Sequence, residues 1–374
     1  MLARLLLATL LVFAPLAHAD APPPPPIAAK AWLLYDLNAG QAIVSQAPDD
    51  RVEPASLTKL MTAYLVFQAL KKGAIKGDQT VPVSERAWKA GGSRMFIEPR
   101  KPVTVDELLR GMIIQSGNDA TIALAELVAG TEENFVMLMN KEGQRLGLKG
   151  SSFANSSGWP DPKHYSTARD LALLAGAVIR DFPEFYGLYA TKEFRYNNIT
   201  QPNRNRLLWI DQTVDGVKTG HTEAAGYCLI ASAKRGPRRL VSVVLGATSD
   251  AMRAQESLKL LNYGFQFYDS VRLYEKGQPI SALKVWKGAA EEFKAGVNQE
   301  LAVIVPKGDA AKLKAELVSQ QPLVAPVQQG QRVGVVRVSL DGKPLAEYPA
   351  VALEAVPVAG FFGRTWDTIQ LWFK

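Results

Sequence analysis

A single cysteine, Cys228, in 374 residues excludes any disulfide within the chain and leaves stability to core packing. It lies in the apolar run "GYCLIASA" and reads as a buried structural thiol. Histidine is nearly as scarce, with three in all. One is in the N-terminal leader, and the other two, His164 and His221, lack a metal-ligand spacing such as His-x-x-x-His, which argues against metal catalysis. No basic run carries the interleaved aromatics of a nucleic-acid binder, so nucleic acid is set aside as a partner. No apolar segment reaches the roughly 20 residues that a membrane span needs, and no internal repeat is evident. The excess of Lys and Arg, a formal +7, suits anionic surfaces such as membranes or cell-wall polymers without identifying one.

What is present is a 47% hydrophobic chain whose length fits two domains. Residues 1–19 read as a signal peptide, with Arg4, an apolar run through Pro15, and Ala17 and Ala19 spaced for cleavage after Ala19. The expectation is therefore an exported protein. "DAPPPPPIAAK" follows, and residues 20–29 form a stiff Pro-rich spacer that tethers and needs no core. "AWLLYDLNAGQAIVSQ" predicts a hairpin around Asn38-Ala39-Gly40, and residues 54–71 an opening helix. The middle of the chain is helical, in "TVDELLRGMIIQSGNDATIALAELVAG" and "TARDLALLAGAVIRDFP". "AGYCLIASAKRGPRRLVSVVLGAT" then reads as two strands joined at a Gly-Pro turn. Strands at both ends and helices between them predict an α/β (α+β) domain over 30–272, an antiparallel sheet flanked by helices with its first and last strands side by side. Residues 273–357 predict a small all-β domain, with turns at Lys276-Gly277, Lys287-Gly288, Lys307-Gly308 and Asp341-Gly342.

Residues 358–374 wind as an amphipathic helix at 100° per residue. Phe361, Phe362, Trp366, Ile369, Trp372 and Phe373 share one side, opposite Arg364, Asp367, Gln370 and Lys374. The pattern predicts an anchor lying in the membrane interface.

Three short stretches carry chemistry. In "EPASLTKLMTAYLVFQAL", Ser56 and Lys59 lie three apart in the first turn, where free N–H groups favour a developing anion and i, i+3 spacing brings hydroxyl and amine onto one face. A lysine with a depressed pKa can take a serine proton without histidine. In "QSGND", Ser116 and Asn118 interrupt an apolar helical region with groups that a packed helix does not want inside it. In "VDGVKTGHTEAAGY", Lys218-Thr219-Gly220 opens a strand with a cation, a hydroxyl and room for close approach of a ligand. Each stretch alone also reads as a cap or a turn; their order and placement give them weight.

Ser-x-x-Lys, Ser-x-Asn and Lys-Thr-Gly together make a known motif set of penicillin-binding proteins and class A β-lactamases. From "AWLLYDLNAG" through "SLTKLMTAY", "SGNDA" and "DGVKTGHTEAAGY" into the β domain and tail, the chain resembles the low-molecular-mass D-alanyl-D-alanine carboxypeptidases, the DacA-type penicillin-binding proteins of peptidase family S11. The resemblance implies a penicillin-binding, transpeptidase-like catalytic domain and a serine-type carboxypeptidase. Such an enzyme removes the terminal D-alanine of peptidoglycan stem peptides through an acyl-enzyme, needs no cofactor, and takes β-lactams as covalent inhibitors. It implies Ser56 as nucleophile, Lys59 as general base and Ser116 as proton relay. Asn118 would hold the substrate amide, and Lys218 with Thr219 and Gly220 the terminal carboxylate, helped by Arg253 in "SDAMRAQES", which otherwise reads as a solvated helix-start residue. The backbone N–H groups of Ser56 and His221 would form the oxyanion hole. His221 is then a backbone donor and not a base, while His164, in "WPDPKHYSTARD", is expected to be exposed and not catalytic. The implied location is the periplasm, at the outer face of the inner membrane.

Three alternatives stay open at this point. A β-lactamase would need a glutamate in the loop "NSSGWPDPKHYST", which has none. An endopeptidase cutting cross-links shares all three motifs. A non-catalytic β-lactam-binding scaffold would be expected to lose a motif member, and none is lost. The resemblance also makes "KAGGSR" a short form of a loop beside the active-site mouth, whose shape bears on deacylation of bound penicillin and on substrate access.

Overall fold

The computed structural model describes residues 21–361 and Asp367. The leader and most of the amphipathic tail lie outside the described residues.

Strands β1 (Ala31–Asp36) and β2 (Gln41–Gln46) form the expected hairpin. A 3-10 turn, Ala55–Thr58, leads into helix α1 (Lys59–Lys71), so the predicted helix begins as a tighter coil. Helices α2 (Val105–Arg110), α3 (Asn118–Ala129), α4 (Glu132–Arg145) and α5 (Ala168–Asp181) make up the helical middle. Strands β3 (Val214–Thr222), β4 (Gly226–Arg235) and β5 (Arg238–Ala247) return to the first hairpin, and helix α6 (Asp250–Phe267) follows. The antiparallel sheet runs β2-β1-β5-β4-β3, so this domain's first strand pairs with its last, as the sequence predicts, and β3 is an edge.

The period of two explains why β1 is buried along its whole length. Leu33 and Tyr35 join the core under α1 and α5, whereas Trp32 and Leu34 join the one under α6. In β5, Val241, Val243 and Leu245 face the first core and Leu240 and Val244 the second. Helix α1 is apolar on nearly every side, the signature of a helix enclosed by protein. Leu60, Met61, Ala63, Val66 and Phe67 are fully buried, and each of the larger side chains contributes about 1.5–3 kcal/mol. The first residue of this enclosed helix is Lys59, which is why a lysine ends up 1% exposed.

Two expectations need correction. The Pro-rich segment is not a free tether: the Pro22 and Pro26 carbonyls accept from Tyr263 and Lys259 of α6, and Ile27 and Ala29 pack on the core beneath. Proline lacks a donor but keeps its acceptor. The β-rich region begins at Tyr268 and not at 273, because β6 (Tyr268–Tyr274) runs on from α6 without a turn to mark it.

Beyond it, β7 (Pro279–Trp286), β8 (Glu292–Gly296) and β9 (Leu301–Pro306) precede β10 (Leu313–Ser319), β11 (Leu323–Val324), β12 (Arg332–Leu340) and β13 (Lys343–Ala352). Among the described residues they form a sheet ordered β10-β12-β13-β8-β7-β11 and the pair β6-β9. The loop tips sit where expected, with positive φ at Gly277, Lys287, Gly308, Asp341 and Gly342. No helix among the described residues is long and apolar enough to cross a membrane.

Candidate active site

The three motif stretches converge on one cleft of about 1310 Å³, lined by Ser56, Ser116, Asn118, Thr219, Gly220, His221 and Arg253. Ser56 stands in the 3-10 turn, with Ala55 before it in the left-handed region at φ 47°. Ser116 is also left-handed, at φ 67°, between the π-helical turn Gly111–Gln115 and α3. A non-glycine residue held this way costs of order 1 kcal/mol or more and needs surroundings that enforce it. Asp119 supplies them on one side, its carboxylate accepting from the N–H groups of Met95, Phe96, Ile97 and Ala120. On the other side, Gly220 lets β3 press against the 3-10 turn: a Cβ there would lie 3.0 Å from the Pro54 carbonyl and 3.3 Å from Ala55 Cβ.

Lys59 Nζ lies 2.9 Å from Ser56 Oγ and donates to Asn118 Oδ1 and the Ser157 carbonyl, both at 2.7 Å. The orientation of the Asn118 amide is fixed, because its Nδ2 donates to the Gly91 carbonyl at 2.7 Å and a carbonyl can only accept. Burial pushes Lys59 down from 10.5 to about 7, the positive field of Arg204 adds to the effect, and Asp119 opposes it. The shift amounts to about 5 kcal/mol in favour of the neutral amine. A neutral amine has two hydrogens and one lone pair. With Asn118 Oδ1 and the Ser157 carbonyl taking the hydrogens, the lone pair is left for the Ser56 hydroxyl, which is the geometry of a base.

Lys218 is 2% exposed and does not line the cleft. Its Nζ donates to Ser116 Oγ at 2.9 Å and to the Thr219 carbonyl at 3.0 Å. Its pKa is driven well below the usual lysine range, by burial first and then by Lys59, Arg204 and Arg253. Arg253 is not a solvated residue: it is 5% exposed, Nη1 donates to the Gly220 carbonyl at 3.1 Å, and Nη2 pairs with Asp250. His221 is exposed at the rim and packs against Tyr227 with the rings tilted by 37° and their centres 4.1 Å apart.

His164 overturns its expectation of exposure. It is 3% exposed, with Nε2 2.8 Å from Thr58 Oγ1 and Nδ1 accepting from Ala154 N–H at 3.3 Å. The polar residues around it describe the loop's outer face and not the ring's inward direction. Sequence reasoning missed two further elements. Arg204 lines the cleft and depresses both lysines, yet in "QPNRNRLLW" nothing distinguishes it from a surface arginine. The Ser157 carbonyl belongs to the backbone and has no residue signature. Its one sequence trace is Gly158, at φ 83°, where a Cβ would fall 1.8 Å from the Ala55 carbonyl. Glu132 supports the same loop, accepting from Ser156 N–H and Oγ while pairing with Arg86.

Comparison with known proteins gives the family. Residues 18–249 match the family model described as D-alanyl-D-alanine carboxypeptidase, and residues 268–358 the model of the penicillin-binding protein 5 C-terminal domain. The chain is 44% identical to D-alanyl-D-alanine carboxypeptidase DacC of Escherichia coli, over 98% of this chain and 94% of that one. Among solved structures, penicillin-binding protein 5 from Haemophilus influenzae is similar with a TM-score of 0.87 and 42% identity, covering 89% of this chain and 99% of that one. Penicillin-binding protein D2 from Listeria monocytogenes, solved in an ampicillin-bound form, is similar with a TM-score of 0.61 and 30% identity, covering 66% of this chain and all of that one.

Proposed function

This chain belongs to the D-alanyl-D-alanine carboxypeptidase family, and from that premise we propose how its residues divide the work. The enzyme removes the terminal D-alanine from peptidoglycan stem peptides. Ser56 attacks the carbonyl of the D-Ala-D-Ala bond while Lys59, neutral and aimed at its hydroxyl, takes the proton. The observation that carries this reading is the set of three partners around Lys59 Nζ, two of which can only accept. Ser116, linked to Lys218, relays the proton taken by Lys59 to the departing D-alanine nitrogen, so Lys59 is neutral again for the water step. The N–H groups of Ser56 and His221 receive the oxyanion, a role supported by the close approach of β3 to the 3-10 turn at Gly220.

The free edge of β3 offers backbone groups to an extended peptide. Thr219 at the cleft wall, with Arg253 and Arg204, meets the substrate's terminal carboxylate, and Lys218 braces that wall from behind through the Thr219 carbonyl and Ser116. Asn118 orients the substrate amide as well as Lys59. Water then hydrolyses the acyl-enzyme.

β-Lactams acylate the same serine, in line with the ampicillin-bound relative. A β-lactamase reading is disfavoured because the loop beside Lys59 has no glutamate, and Glu132 behind it is committed to Ser156 and Arg86. The protein is exported to the periplasm and rests on the inner membrane through residues 358–374, as the leader and the amphipathic tail support.

Incubating the protein with a pentapeptide ending in D-Ala-D-Ala, with Ser56→Ala as control, tests the assignment. Free D-alanine from the wild type alone is expected. Equal release by the variant, or cleavage of a cross-linked dimer without D-alanine release, contradicts it.

A further inference from the structure

His164 makes a contact that the scheme above does not use. A backbone N–H can only donate, so the bond from Ala154 places a lone pair on Nδ1. The neutral ring must then carry its hydrogen on Nε2, which donates to Thr58 Oγ1 at 2.8 Å. Burial holds the ring's pKa at about 4, which keeps it neutral at working pH. Phe153 packs edge-on against the ring at 5.8 Å, and the backbone N–H of His164 donates to the Asp161 carbonyl at 2.9 Å, so ring and backbone are each held.

What the ring joins gives the contact its meaning. Thr58 is the residue before Lys59. The loop that holds His164 also carries Ser157, whose carbonyl receives a Lys59 hydrogen at 2.7 Å. The turn that supplies the lysine and the loop that orients it are thus tied by one imidazole.

We propose that His164 is a positioning residue for acyl transfer: its Nε2–H bond to Thr58 fixes the Ser56–Lys59 turn against the Ser157 loop and so aims the Lys59 lone pair at Ser56. The proposal rests on the reading of Lys59 as the base for Ser56.

Two substitutions separate the two ring bonds. In His164→Gln the amide nitrogen reaches roughly the place of Nε2 and can still donate to Thr58. In His164→Asn the amide oxygen reaches roughly the place of Nδ1, so the Ala154 bond survives and the Thr58 bond does not. The measurements are kcat and KM on a D-Ala-D-Ala peptide, acylation by a fluorescent penicillin, and the Tm of each variant. The expected result for His164→Asn is a fall of about ten-fold in kcat and in acylation, with KM changed by less than about two-fold. His164→Gln should stay within about two-fold of the wild type, and Thr58→Val should reproduce the Asn variant. Equal losses in Gln and Asn, losses that follow Tm, or a change in KM alone would overturn the proposal. Acylation of Ser56→Ala, measured alongside, would refute the underlying assignment instead, whatever the two His164 variants do.

Discussion

The pH at which Lys59 loses its proton controls how fast Ser56 is acylated. With a pKa of about 7 in place of 10.5, the amine is neutral in about 1% of molecules at about pH 5 and in about 90% at about pH 8, so acylation should rise about ninety-fold between them. An unshifted lysine would still be almost wholly protonated at about pH 8, and its rate would keep climbing about ten-fold per unit towards pH 10. The assay is the second-order rate constant for a fluorescent penicillin, whose carboxylate stays ionised over the range. Arg204→Leu sharpens it. Arg204 lowers Lys59 through its charge, so its removal should raise the lysine pKa and move the rising limb to higher pH. A profile flat through pH 7, a limb centred near 10, or a limb moved downward in Arg204→Leu would refute the argument that an electrostatically tuned lysine is the base.

Other consequences follow from the packing around the same site. Gly158→Ala adds a Cβ 1.8 Å from the Ala55 carbonyl at a φ of 83°; the loop must shift by more than 1 Å or so, withdrawing the Ser157 carbonyl from Lys59, and acylation should fall about 100-fold, as labelled-penicillin kinetics will show. Asp119→Ala leaves four N–H groups without their acceptor and should cost about 3–5 kcal/mol in chemical denaturation; a loss under about 1 kcal/mol would mean that the 95–97 segment is held by other means. Deleting residues 358–374 should move the protein from the membrane fraction to the soluble one, and persistence in the membrane would sink the anchor reading.

Much of the site is legible because its chemistry is local. Ser56 and Lys59 share a helical turn, Ser116-Gly117-Asn118 breaks an apolar stretch, and Lys218-Thr219-Gly220 lies in a β-branched strand region; in each case the residue type conflicts with its setting. The pairing of β1 with β5 was likewise readable, from strands at both ends of a helical segment. What escaped depends on partners far along the chain. His164 reads as a loop residue because "PDPK" is hydrophilic, whereas its ring turns inward to Thr58, 106 residues away. Arg204 gains its meaning only from the two lysines that it faces, and the Ser157 carbonyl is invisible to any reading of side chains. Why Lys59 is buried could be seen only in part: α1 is apolar on nearly every side, but that its first turn is enclosed as well is a fact of packing.

Peptide mapping after a brief reaction with a penicillin tests the central claim most directly. The account predicts one acyl adduct on the peptide containing Ser56 and none in Ser56→Ala. It also predicts an adduct that forms far more slowly in Lys59→Met, which keeps the bulk but not the amine. An adduct on Ser116, or labelling undiminished in either variant, would contradict it.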